Sequence, residues 1–157
     1  MRIRILFITA LSALLTACGS APKPEPAPAK KAEAPKPSDE SHRFPTANLI
    51  KSEVVDKELM GKPFMPGGTL AHYKKGKTEY QMFAAKLPTA TDAAVILPDW
   101  RKALTDAKLV PSFGGYFGKD AGRPVFVFAK GEWIAGIAGL PEKVADAQAR
   151  TFAAHLK

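Results

Sequence analysis

Beyond residue 45 the chain offers two imidazoles for chemistry, His72 and His155. A nucleophilic triad needs Ser, Cys or Thr beside a base that a third group orients. No Gly-x-Ser-x-Gly elbow is present. His72 is expected on a strand, opposite the hydrophobic alternation of Leu70. His155 is expected on the last turn of the last helix, where an imidazole meets the helix dipole or solvent. Metal-ligand spacings are equally absent: there is no His-x3-His, no Glu-x-x-His and no Asp-x-Asp-x-Asp loop. Asp99 and Asp106 stand seven apart on an expected helix that Pro98 interrupts, but a glycosidase pair needs two buried carboxyls across a cleft. These patterns assign no catalytic residue, no metal and no cofactor.

The most unusual segment is Ser112-Phe113-Gly114-Gly115-Tyr116-Phe117-Gly118. A phosphate loop would set its glycines between a strand and a helix N-terminus, whereas here a strand is expected to follow. Two readings remain open. Phe113, Tyr116 and Phe117 form an exposed aromatic ledge, joined by Trp133, Lys119 and Arg123, for a peptide, glycan or lipid chain. Alternatively, the glycines mark a bulge and the aromatics fill the core. The candidate recognition surface is therefore Phe113, Tyr116, Phe117, Trp133, Lys119 and Arg123, with no catalytic role attached.

The amino terminus carries a different kind of information. Met1 to Arg4 is short and cationic, and Ile5 to Leu15 is an apolar run of 11 residues. Spanning a bilayer takes about 20, so this run reads as the core of a signal peptide over residues 1–17. The following Leu15-Thr16-Ala17-Cys18 resembles the lipobox of bacterial lipoproteins, small residues before an obligatory cysteine. The resemblance implies a diacylglyceryl thioether on Cys18, cleavage before it and acylation, for instance by palmitate, of the new amino terminus. Several acyl chains, at about 0.8 kcal/mol per buried methylene, anchor a protein firmly. Gly19-Ser20 lacks the Asp of an inner-membrane retention signal, which implies the outer membrane, facing the periplasm. The resemblance stops there and carries nothing over to residues 44–157. Cys18 is the only cysteine, so no disulfide can form within the chain, and stability must come from packing.

Residues 18–43 are expected to be a disordered linker after the lipidated cysteine. Seven of the 14 prolines lie between Pro22 and Pro45, alternating with Ala and Lys. Such a tract favours extended polyproline II, at about 3.1 Å per residue, and builds no core. Residues 45–157 hold 16 Lys and Arg against 11 Asp and Glu, a formal charge of +5. That excess suits solubility near a membrane, or an anionic lipid or cell-wall polymer; the compartment disfavours nucleic acid as a partner.

The elements that must position any site lie in one domain, 44–157. Ala47 to Val55 fits neither the strand nor the helix period. Leu70 to Lys74 and Thr78 to Leu87 are expected to pair through Lys74-Lys75-Gly76-Lys77. Tyr80, Met82 and Ala84 should share one face, with Gln81, Phe83 and Ala85 on the other. A helix capped by Thr89 or Thr91 places Ala93, Leu97, Trp100 and Leu104 on one stripe, with a kink or a new start at Pro98. Three strands follow, Leu109 to Phe117, Arg123 to Ala129 and Glu132 to Leu140, the second apolar on both faces. Pro141 at N1 opens a last helix burying Ala145, Ala149, Phe152 and Leu156. The expected fold is α+β: about five antiparallel strands with two helices on one face, in the order ββ-α-βββ-α. The expected function is a non-enzymatic binding or interaction module of the envelope, for a protein, glycan or lipid. The alternatives are an enzyme on an envelope polymer and a purely structural lipoprotein.

Overall fold

A computed structural model describes residues 36–157. The signal segment, Cys18 and the linker through residue 35 lie outside the described residues. Seven strands make one antiparallel sheet: β1 (Leu49–Lys57), β2 (Pro66–Lys75), β3 (Thr78–Lys86), β4 (Thr105–Val110), β5 (Gly115–Asp120), β6 (Arg123–Lys130) and β7 (Trp133–Ala138). Helices α1 (Ala90–Val95) and α2 (Leu97–Ala103) join β3 to β4, and α3 (Glu142–His155) follows β7. The spatial order is β1-β2-β3-β7-β6-β5-β4. Two meanders therefore meet at the β3–β7 seam, and α1 and α2 carry the chain from that seam to the far edge.

This architecture corrects the expected one. The order is β-β-β-α-α-β-β-β-β-α with seven strands, not ββ-α-βββ-α with five. The helices also cover both faces rather than one. Along β6, Phe126 and Phe128 join the cluster of Ala145, Ala149 and Phe152 on α3. Their neighbours Val125 and Val127 join Ile96, Trp100 and Leu104 from the α1–α2 pair. Successive strand residues point to opposite faces, so a strand apolar at every position demands two covering layers. All six residues of β7 are buried for the same reason.

Each extra strand has a local cause. In β1 the pairing with β2 shifts between Leu49 and Lys51, and most of the strand is solvent-exposed. A bulge plus an exposed edge removes the period-two signal. The expected strand Leu109 to Phe117 is two strands, because Pro111 to Gly114 turn: the Phe113 N–H donates to Val110 O at 3.1 Å. Gly114 adopts φ 63°, which a glycine takes without strain.

The helices start where local chemistry puts them. Thr89 Oγ1 accepts from the Asp92 N–H at 3.1 Å, capping α1. A break at Ile96 then restarts the chain as α2, with Pro98 in its first turn. The buried position is Ile96 rather than Leu97 of the expected stripe, and Leu97 packs at the margin. Pro141 is the N-cap of α3, one place before the expected N1.

Trp100 anchors the α1–α2 face. Its side chain is fully buried, stacks on Phe83 at 5.6 Å and meets Phe64 edge-on at 5.6 Å. Its indole N–H donates to Met65 Sδ at 3.1 Å. On the α3 face a short strap precedes β1. The Glu40 N–H donates to Thr69 Oγ1 at 3.1 Å, and Phe44 is buried against Phe152, 4.7 Å between ring centres. The Tyr73 hydroxyl donates to Pro45 O at 2.9 Å.

Candidate binding groove

The six residues proposed from sequence do not share one surface. Phe113 folds inward from the β4–β5 turn, 4.9 Å from Phe128 and 5.4 Å from Phe126, with the Arg150 guanidinium 5.5 Å from its ring. Phe117 packs on the same α3 face, under Lys108 Nζ at 5.6 Å. Tyr116 points to the opposite face and packs beside the α1–α2 core. Trp133 is buried on the α3 side, with Arg43 and Lys86 5.1 and 5.9 Å from its ring. Lys119 pairs with Asp106 at 3.6 Å. Arg123 opens β6 and alone of the six lines the groove described next.

On the α1–α2 face, α1 and α2 lie over the β4–β7 half of the sheet. The segment Glu58–Lys62 covers part of β2 and β3. Between that segment and the β5–β6 turn the sheet remains open, as a groove of about 550 Å³. Its floor is Val55, Leu70, Val125 and Ala138, contributed by four strands. Glu58, Met60 and Ala121 form its walls in left-handed backbone conformations, φ 54°, 62° and 47°. Ala121 does so as a central residue of the two-residue β5–β6 hairpin, where Gly122 also has positive φ (81°), whereas Glu58 and Met60 hold the conformation at a cost of about 1–3 kcal/mol each. Lys62 Nζ donates to Asp120 Oδ1 at 2.7 Å and ties one wall to the other.

At the mouth, Gln81 and Arg123 also line an adjoining depression with Lys51 and His72, a row of polar side chains set by strand register. Lys51 lies opposite His72, His72 opposite Gln81, Gln81 opposite Ala138, and Ala138 opposite Val125. Arg123 donates from Nη1 to Gln81 Oε1 at 2.5 Å and from Nη2 to Ala138 O at 3.3 Å. Both acceptors are neutral, and among the described residues no carboxylate pairs with Arg123. Its charge is thus placed but not neutralised. His72 has Gln81 Nε2 at 3.3 Å from Nδ1 and Glu53 Oε1 at 3.0 Å from Nε2. The hydrogen bond from His72, then that from Lys51, holds the Glu53 carboxyl below the usual carboxylate range.

His72 shares its face with Leu70 rather than opposing it, since the two are separated by one residue in a regular strand. Both of its ring nitrogens have hydrogen-bond partners. His155 ends α3 on its exposed side, and its carbonyl accepts from Arg43 at 3.5 Å. Asp99 pairs with Lys102 at 3.0 Å, and Asp106 lies on β4, so the two carboxyls do not share the expected helix. Among the described residues no group of three or more His, Cys, Asp or Glu could hold a metal ion.

Sequence reasoning missed Leu70, Gln81, Met60 and the Lys62–Asp120 tie as parts of one site. Several strands and one loop supply them, and only register brings them together. Comparison of the chain with protein-family models, curated proteins and solved structures finds no match.

Proposed function

We propose that this chain is an envelope lipoprotein, held in the outer membrane by lipid on Cys18, whose domain is a non-enzymatic binding module. The observation that carries the binding reading is the groove: a strip of the α1–α2 face that no helix covers, with half-buried Val55 and Leu70 beside buried Val125 and Ala138, and Arg123 at its mouth. A volume of about 550 Å³ falls in the ~300–1,000 Å³ range of sites that engulf a ligand's apolar part. The rim carries both signs, Glu58 and Asp120 with Lys62 and Arg123. A protein segment combining an apolar side chain with a carboxylate fits this pattern best. Membrane attachment rests on the signal segment and Leu15-Thr16-Ala17-Cys18. The Pro-rich stretch serves as the tether up to the strap at Glu40.

Two experiments test the two halves of the proposal separately. Cys18→Ala should move the protein from the membrane fraction to the soluble envelope fraction; an unchanged membrane pool overturns the anchor. For the groove, Leu70→Trp fills the floor; because Leu70 packs at the margin of the α1–α2 core, a melting temperature like that of the wild-type protein accompanies the test. In-cell crosslinking of the full-length protein should yield a discrete partner that Leu70→Trp removes. A partner that persists in the variant overturns the groove as the binding surface.

A further inference from the structure

Four side chains running from the groove mouth across the sheet, Arg123, Gln81, His72 and Glu53, form a directional relay. The Arg123 guanidinium can only donate, so Gln81 Oε1 faces it, at 2.5 Å. The Gln81 amide orientation is thereby fixed, and its NH2 is the group facing His72 Nδ1 at 3.3 Å. Nδ1 must then accept, and the ring proton sits on Nε2, which donates to Glu53 Oε1 at 3.0 Å. Each link dictates the next, and the chain closes only with a neutral imidazole.

Protonation of His72 breaks this order. Nδ1 then carries a proton and confronts the Gln81 NH2, two donors face to face. The amide must rotate to offer its oxygen to His72, which turns its NH2 toward Arg123 and removes the acceptor that holds the guanidinium. The charged groups around the ring act in both directions. Glu53 on β1 favours the imidazolium; Lys51 on β1 and Arg123 on β6 oppose it. Glu79 on β3, paired with Lys74 at 2.9 Å, lines the same depression.

We propose that Gln81 and His72 are positioning residues for Arg123, and that a neutral His72 is the condition for the groove to present its cation in place. This rests on the reading of the groove as the binding surface, and makes that surface responsive to acidification. The imidazole is the one side chain whose ordinary titration lies at mildly acid pH.

The test is ligand-free, so its failure is distinguishable from failure of the binding reading. Full-length protein in detergent, labelled with 15N, is titrated by NMR from about pH 8 to about pH 5, the span of ordinary imidazole titration. At the upper end His72 should be the Nε2–H tautomer. Arg123 side-chain signals should shift with the same midpoint as His72. In Gln81→Leu they should stop following His72, while the other amide signals keep their dispersion. An Nδ1–H tautomer, or Arg123 signals that ignore His72 titration in the wild-type protein, overturns the relay. Should Gln81→Leu fail to fold, the wild-type titration alone decides between these outcomes.

Discussion

Tyr73 is held neutral well above the ordinary phenol range, first by burial and second by Tyr80, whose ring stacks on it at 4.9 Å. Burial raises Tyr80 as well. Below about pH 10 both hydroxyls are neutral folded or unfolded. Above it the unfolded chain releases protons that the folded chain keeps, so stability falls as pH rises. Tyr73→Phe should therefore flatten the loss of stability above about pH 10. At neutral pH it should cost about 0.5–1.5 kcal/mol, the bond to Pro45 O. Urea unfolding at neutral and alkaline pH checks both signs. At Trp100, truncation to Ala removes the centre of one core and should cost about 3–5 kcal/mol. A melting curve like that of the wild-type protein would mean the α1–α2 layer does not depend on it.

At the scale of elements, β7 shows how the sheet carries two cores. A side chain at Gly136 would collide with Phe83 Cζ and lie 2.5 Å from Phe126 O. Gly136→Ala should destabilise by about 1–3 kcal/mol or more through overpacking, read as a lowered melting temperature. Adding Phe83→Leu should restore only part of that loss, because the backbone oxygen cannot yield. The hairpin β2–β3 and the doubly apolar β6 are legible in the sequence because Gly76 marks a turn and Val125 to Phe128 are apolar throughout. The second helical layer is implied by β6 itself, but each helix shows a single stripe, which a simpler two-layer arrangement also satisfies. β1 is illegible because its bulge and exposure erase alternation. The β4–β5 turn hides in the sequence because its aromatics resemble strand residues. Of the groove, Arg123 is legible through its aromatic neighbourhood; its partners Gln81 and His72 become neighbours only through pairings between separate strands.

For the whole molecule, the proposal divides the work between a lipid tether, which would limit where the domain can reach, and the groove, which would decide what it holds there. The two meanders leave one edge at β1 and the other at β4, while α1 and α2 lie over the β4–β7 half of one face and α3 over β6 and β7 on the other. The proposed recognition uses the open strip of the α1–α2 face. The measurement that tests this most directly is in-cell photocrosslinking from single positions in the full-length protein. A photoreactive residue replaces Met60 on the groove wall, or Lys143 on α3, across the sheet from the groove. One discrete adduct is expected from position 60, weakened by Arg123→Ala and absent from position 143. An adduct from position 143 alone, or identical adducts from both, would contradict the groove as the surface through which this protein works.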